Sequence, residues 1–209
     1  MSNQSQREEI FNSTLHAVAA LVSVYGLVLL LDGETRFWHQ VSFMLFAGSM
    51  MILYTSSALY HAVNGRLKRT IKKIDCLAIY LLIAGTYSPF ALVLLNNVRG
   101  WVVFGIVWLL ALIGIIYELI PRTDERRNIP VTIYLLMGWL ALVLAAPLLD
   151  KISISGFLQL LTGGLFYTFG LIFYALEDRV RYFHAVWHVF VMAGSLFHFL
   201  VVYRYIAGA

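Results

Sequence analysis

Cysteine is almost missing from this chain. Cys76 is the single thiol among 209 residues, which excludes an intrachain disulfide and any metal cluster built on cysteine. Charge is scarce too. Asp, Glu, Lys and Arg make up 12% of the sequence, against roughly 25% in an ordinary soluble domain. Apolar residues take the space instead: 61% of the chain is hydrophobic and its mean hydropathy is +0.81. One water-soluble core cannot hide that much apolar surface, so the expected solvent is the bilayer. The net charge of +4 then belongs to cytoplasmic loops, and no nucleic-acid partner is expected. Because thiolates are lacking, a metal site here must use histidine and carboxylate.

A spanning helix needs about 20 mostly apolar residues. Seven runs qualify, at roughly 14–31, 38–61, 74–95, 101–120, 130–149, 155–176 and 183–206. Charged or turn-forming stretches separate them: DGETR, NGRLKRTIKK, NNVRG, PRTDERRN, DKIS and EDRVR. Glu8 and Glu9 precede the first run, where a cleavable signal would carry basic residues, so that run is expected to be a retained span. The chain reads as an all-α integral membrane protein, with residues 1–209 forming a single seven-helix transmembrane domain. Glycines 48, 85, 114, 163, 164, 170 and 194 fall within spans, where small residues allow close helix packing. Pro89 and Pro147 are expected at kinks or helix ends.

Basic residues set the orientation. With the N-terminus inside, Arg7, Arg66, Lys68, Arg69, Lys72, Lys73, Arg122, Arg126, Arg127, Arg179 and Arg181 are cytoplasmic, leaving Arg36, Arg99, Lys151 and Arg204 outside. This bias predicts a cytoplasmic N-terminus and an external C-terminus, opposite to the G-protein-coupled receptors.

This topology brings polar residues from four segments to one depth, at the cytoplasmic side: Asn12 and His16 in the first span, Ser57 and His61 ending the second, Asp75 opening the third, and His184 and His188 opening the seventh. Residues four apart share a helix face, so His184 and His188 can point at one centre, as can Ser57 and His61. Ionisable residues inside a membrane are costly and usually functional. Each signal alone is weak. A lone H-x-x-x-H also suits a polar helix end, and Asp75 can pair with Lys72 or Lys73. Their coincidence points to zinc held by His61, His184 and His188, with water at the fourth position. Asp75 is then a ligand or the base that takes a proton from that water. Position 185 is alanine, so the glutamate base of the H-E-x-x-H metalloproteases is excluded. Asn12 and His16 form a supporting pair beside the ligands, or His16 is a fourth ligand. His39 is expected at the outer interface, and His198, about 15 Å deeper than His188 at 1.5 Å per residue, as an interhelical hydrogen-bond residue.

The elements E9-x-x-N12-S-x-x-H16, S57-x-x-x-H61, D75-x-x-x-I-Y-L-L-I-A-G-T-Y-S-P-F90 and F183-H-A-V-W-H188-x-F-V-x-x-G194-S-x-x-H198-F together resemble the bacterial hemolysin III family. That family is grouped with the progestin and adipoQ receptors, which include the adiponectin receptors. The resemblance covers nearly the whole chain. It implies a seven-helix bundle in a bacterial inner or plasma membrane, with a cytoplasmic N-terminus and zinc on His61, His184 and His188. It also implies that Asp75 holds the zinc-bound water and that Ser57 matches the serine of a wider hydrolase-like superfamily containing alkaline ceramidases. Three functions follow as expectations. The first is a zinc hydrolase of membrane-lipid amides or esters, with catalytic Asp75 and Ser57. The second is a lipid sensor with a structural zinc, and the third is a membrane-damaging haemolysin. In the first two, membrane lipid is the substrate or ligand.

Overall fold

The computed structural model describes residues 5–120 and 128–208. The segment 121–127, with Arg122, Arg126 and Arg127, lies outside the described residues, as do 1–4 and 209. The described residues form eight α-helices in seven spans: α1 (Gln6–Leu31), α2 (Phe37–Ala62), α3 (Gly65–Pro89), α4 (Val98–Leu119), α5 (Asn128–Trp139), α6 (Ala145–Leu149), α7 (Ile154–Leu176) and α8 (Phe183–Val202). A π-helical turn, Phe90–Leu95, extends α3, and another, Tyr203–Ala207, extends α8. A 3-10 turn, Leu140–Leu144, joins α5 to α6 within the fifth span. All seven spans are long and apolar enough to cross a membrane.

The helix ends follow from local chemistry. Ser5 caps α1 in a reciprocal box with Glu8, satisfying backbone donors that have no partner inside the helix. Asn96 takes a left-handed φ of 40°, which asparagine tolerates better than most residues. Its neighbour Asn97 then caps α4 by accepting from the Gly100 N–H at 3.0 Å. In the turn between α1 and α2, the Arg36 guanidinium holds the Glu34 carboxyl at about 2, well below the usual carboxylate range.

The third span departs from the sequence reading. Its apolar run begins near residue 74, but its helix begins at Gly65. Arg, Leu and Lys are good helix formers, and nothing in RLKRTIKK breaks the helix. The 31 residues of 65–95 reach about 46 Å at 1.5 Å each, beyond an apolar layer of about 30 Å. The first turns therefore project past that layer and carry Arg66, Lys68, Arg69, Lys72 and Lys73.

α3 is the central helix. In its apolar stretch 67% of residues are buried, against 22% for α1, α4, α7 and the fifth span; in those four most residues are only partly buried or are exposed. Lipid tails are as apolar as leucine, so close packing and hydrogen bonds must hold the helices together. A Cβ on Gly85 would lie 2.2 Å from Ser49 Oγ and 2.7 Å from Leu45 O, so the backbone of α3 rests directly on α2 there. Gly163 and Gly194 make a reciprocal close approach of α7 to α8. Gly48 and Gly164 do not pack in this way: a Cβ at either meets nothing within 4 Å.

Pro89 and Pro147 each lie near a change of helix type. Pro89 lacks the N–H an α-helix requires and stands where α3 passes into its π turn. Pro147 lies in the short α6, after the 3-10 turn. The break in the fifth span frees carbonyl groups, which must find partners inside a membrane. The Tyr87 hydroxyl supplies one, its single proton shared between Met137 O at 2.6 Å and Gly138 O at 2.8 Å.

Candidate metal centre

Two helix ends meet at one end of the bundle. His61 sits on the last turn of α2, and His184 and His188 lie on the first two turns of α8. Their ligating atoms all lie within 4.8 Å of one another. His61 Nε2 is 3.0 Å from His188 Nε2 and 3.2 Å from His184 Nε2. Nitrogens bound to one tetrahedral ion at 2.0–2.1 Å stand about 3.3 Å apart, so the spacing suits a shared cation.

The opposite ring nitrogens give an independent test of fit. His61 Nδ1 lies 2.8 Å from Glu9 Oε2, and His184 Nδ1 is hydrogen-bonded to Glu177 Oε2. A carboxylate accepts, so each Nδ1 carries the proton and a neutral ring's Nε2 is left bare. The two bare lone pairs then face each other across 3.2 Å, an arrangement that repels until a cation lies between them. Buried His61 and half-buried His184, each backed by a carboxylate, together with buried His188, suit the donor set of a transition-metal or zinc site. The cluster can hold a metal ion.

Neither carboxylate was picked out by sequence reasoning as a partner of these rings. In the sequence Glu9 stands out as an acidic residue before the first run and as the first letter of E9-x-x-N12, and Glu177 as part of a charged turn. Their links to His61 and His184 are tertiary contacts without a short-range spacing.

Other residues expected at the site are brought close by the fold. A cavity of about 180 Å³ begins beside the cluster, with His16, Ser57, Asp75 and His188 in its wall. Ser57 is buried, one turn before His61. Asp75 turns to this cavity, with Ser56 Oγ 3.5 Å from its Oδ1, whereas Lys72 and Lys73 are exposed. The rest of the wall is mostly apolar, drawn from α3, the fifth span, α7 and α8. Trp139 and Leu142 line it and are exposed, so the cavity opens along the fifth span.

Asn12 and His16 are buried at the site. The His16 ring meets His188 edge-on, with centroids 4.1 Å apart, yet its two nitrogens and both amide atoms of Asn12 have no hydrogen-bond partner. The carboxylate partners at the cluster are Glu9 for His61 and Glu177 for His184. His39 lies at the far end of α2 against Phe43. His198 is an interhelical residue, its Nε2 3.2 Å from Leu160 O on α7.

Similarity to known proteins agrees with this architecture. The family model described as "Haemolysin-III related" matches residues 4–199. "Hemolysin-3" of Bacillus cereus is 36% identical over 97% of this chain and 94% of its own length. "Hemolysin-3 homolog" of Bacillus subtilis (strain 168) is 39% identical over 95% of this chain and 94% of its own. At greater distance, human "Monocyte to macrophage differentiation factor" is 24% identical over 95% of this chain and 84% of its own length. With its seven spans and a family match along nearly all of its length, the chain belongs to the haemolysin-III-related family of multi-pass membrane proteins.

Proposed function

We propose that this protein is a zinc-dependent hydrolase of amide or ester bonds in membrane lipids. One observation carries the reading: the three-histidine cluster stands at the head of a largely apolar cavity whose wall there also holds Asp75 and Ser57. Nitrogen-only ligation favours zinc over magnesium or calcium, which prefer oxygen. His61, His184 and His188 hold the ion, which acidifies water and polarises a carbonyl when bound.

The chain's own groups divide the remaining work. The apolar cavity wall takes an acyl chain and orients the scissile bond toward the cluster. Its opening along the fifth span gives an amphiphile a route from the bilayer. Asp75 accepts a proton from the attacking water and returns it to the leaving amine or alcohol. The Ser57 hydroxyl donates to oxygen as negative charge develops there. Asn12 and His16 offer unpaired donors and acceptors to the polar part of the substrate, since buried polar groups left without partners cost about 1–3 kcal/mol each.

A zinc-stapled lipid sensor would use the same three histidines and the same cavity. The placement of Asp75 in the cavity wall favours the enzyme, because a staple needs no carboxylate facing the ligand. The haemolysis recorded in the relatives' names has no counterpart in the site: a polytopic chain of this hydropathy lacks the soluble stage of a secreted toxin. Lipid extracts from cells carrying the wild type, His188→Ala or no gene, compared by mass spectrometry, test the proposal. It expects a precursor–product lipid pair that depends on His188; identical lipid profiles in all three would refute it.

A further inference from the structure

α1 supplies no histidine to the cluster, yet its first turns touch the elements that do. Glu9 Oε2 accepts from His61 Nδ1 on α2, while Glu9 Oε1 lies 2.8 Å from Lys68 Nζ on α3. Glu8, rotated about 100° around the helix, sends its Oε1 to the backbone N–H of Tyr182 at 3.0 Å. Tyr182 holds a φ of +67° as the residue that opens α8, two positions before His184. A bulky residue keeps that conformation only when its surroundings hold it there. From the end of α7, Glu177 takes Nδ1 of His184.

We propose that Glu9 and Glu177 are positioning residues, which fix His61 and His184 with the proton on Nδ1 and the bare Nε2 turned to the metal, and that Glu8 holds the turn from which α8 aims its two histidines. This rests on the metal reading above. The physical basis is twofold. A carboxylate on Nδ1 selects the tautomer and the ring orientation, and it makes the far nitrogen a better donor; removing such a partner typically lowers metal affinity about 10–100-fold. The two rings are also held from two different helices, α1 and α7, so the cluster depends on the closure of the bundle around it.

A different account is available for Glu9, because its ion pair with Lys68 ties α1 to α3 whether or not a metal is present. Two changes separate the accounts. Lys68→Met breaks the ion pair and leaves the His61 contact. Glu9→Leu breaks both, while Glu9→Gln keeps an acceptor oxygen for Nδ1 without the charge.

Full-length protein in detergent would be titrated with zinc against a chelator, and its cobalt(II) form followed by visible absorption. Glu9→Leu and Glu177→Leu are expected to bind zinc about 10–100-fold more weakly and to show altered cobalt bands. The Gln variants should fall between these and wild type, and Lys68→Met should keep wild-type affinity and spectrum. Wild-type affinity and spectrum in both Leu variants would overturn the positioning role while leaving the metal site standing. A loss in Lys68→Met equal to that in Glu9→Leu would reduce Glu9 to a structural tie and overturn its part. Wild-type protein that takes up neither zinc nor cobalt would overturn this inference together with the metal reading. If the Leu variants fail to fold, the Gln and Lys68→Met comparisons decide the same question.

Discussion

His61 Nε2 and His188 Nε2 lie 3.0 Å apart across 127 residues of sequence. Two helices must end at the same depth and face each other for this to occur. Purified wild-type protein is expected to carry close to one zinc per chain, and the double variant His184→Ala, His188→Ala to carry almost none. Metal analysis of the purified proteins checks this; full zinc in the double variant would end the proposal. Thermal unfolding gives a second readout. An ion that binds only the folded state stabilises it by about 2.7 kcal/mol at a free concentration of 100 Kd, so chelator should lower the wild-type melting temperature and leave the double variant unmoved.

Much of this centre is legible in the sequence because its strongest signals are local. The four-residue spacing of His184 and His188 fixes a shared helix face, and alternating spans carry His61 and Asp75 to the same depth. The seven spans are equally plain, since a long apolar run is the least ambiguous pattern a sequence contains. Links made only by tertiary contact are not written in spacing. Glu177 is seven residues from His184, off any helical register because a turn intervenes, and Glu9 is 52 residues from His61. The early start of α3 was hidden because hydropathy locates the membrane layer rather than the helix that overshoots it. Gly48 and Gly164 show the same limit: composition marks a residue as small, and only the structure shows whether anything approaches it.

Close packing of α2 on α3 can be tested with a matched pair of glycine substitutions. A Cβ on Gly85 would lie 2.2 Å from Ser49 Oγ and 2.7 Å from the backbone oxygen of Leu45. The backbone oxygen cannot rotate away, so Gly85→Ala is expected to cost about 1–3 kcal/mol, as overpacking typically does. Gly48→Ala meets open space and should change little. Unfolding midpoints in the same detergent compare the two; equal midpoints would contradict the close approach.

We propose the cytoplasmic orientation of the N-terminus from basic residues alone, 11 of the 15 flanking the apolar runs on one side. Reporter fusions after residue 209 and within 64–70 test it. The first is expected to report an external position and the second a cytoplasmic one. A cytoplasmic signal from the C-terminal fusion would reverse the assignment and place the histidine end on the outer face.

Asp75 separates catalysis from stapling. Asp75→Asn keeps the side chain's shape and one acceptor oxygen, and removes its charge and its capacity to take a proton. Asp75 lines the cavity, and the three-histidine cluster is complete without it. If it acts as the base, zinc content should hold while lipid turnover falls by about 10²–10⁴, the usual effect of losing a general base. If it ligates the ion, zinc affinity itself should drop, because an amide is a poorer donor than a carboxylate. If the protein only senses lipid around a structural zinc, the variant should keep both its metal and its cellular phenotype. Zinc content and lipid turnover measured on the same preparation tell the three apart. The expected result is metal retained and turnover lost, since Asp75 faces the space where a substrate would lie. Normal zinc with normal turnover would remove Asp75 from the chemistry.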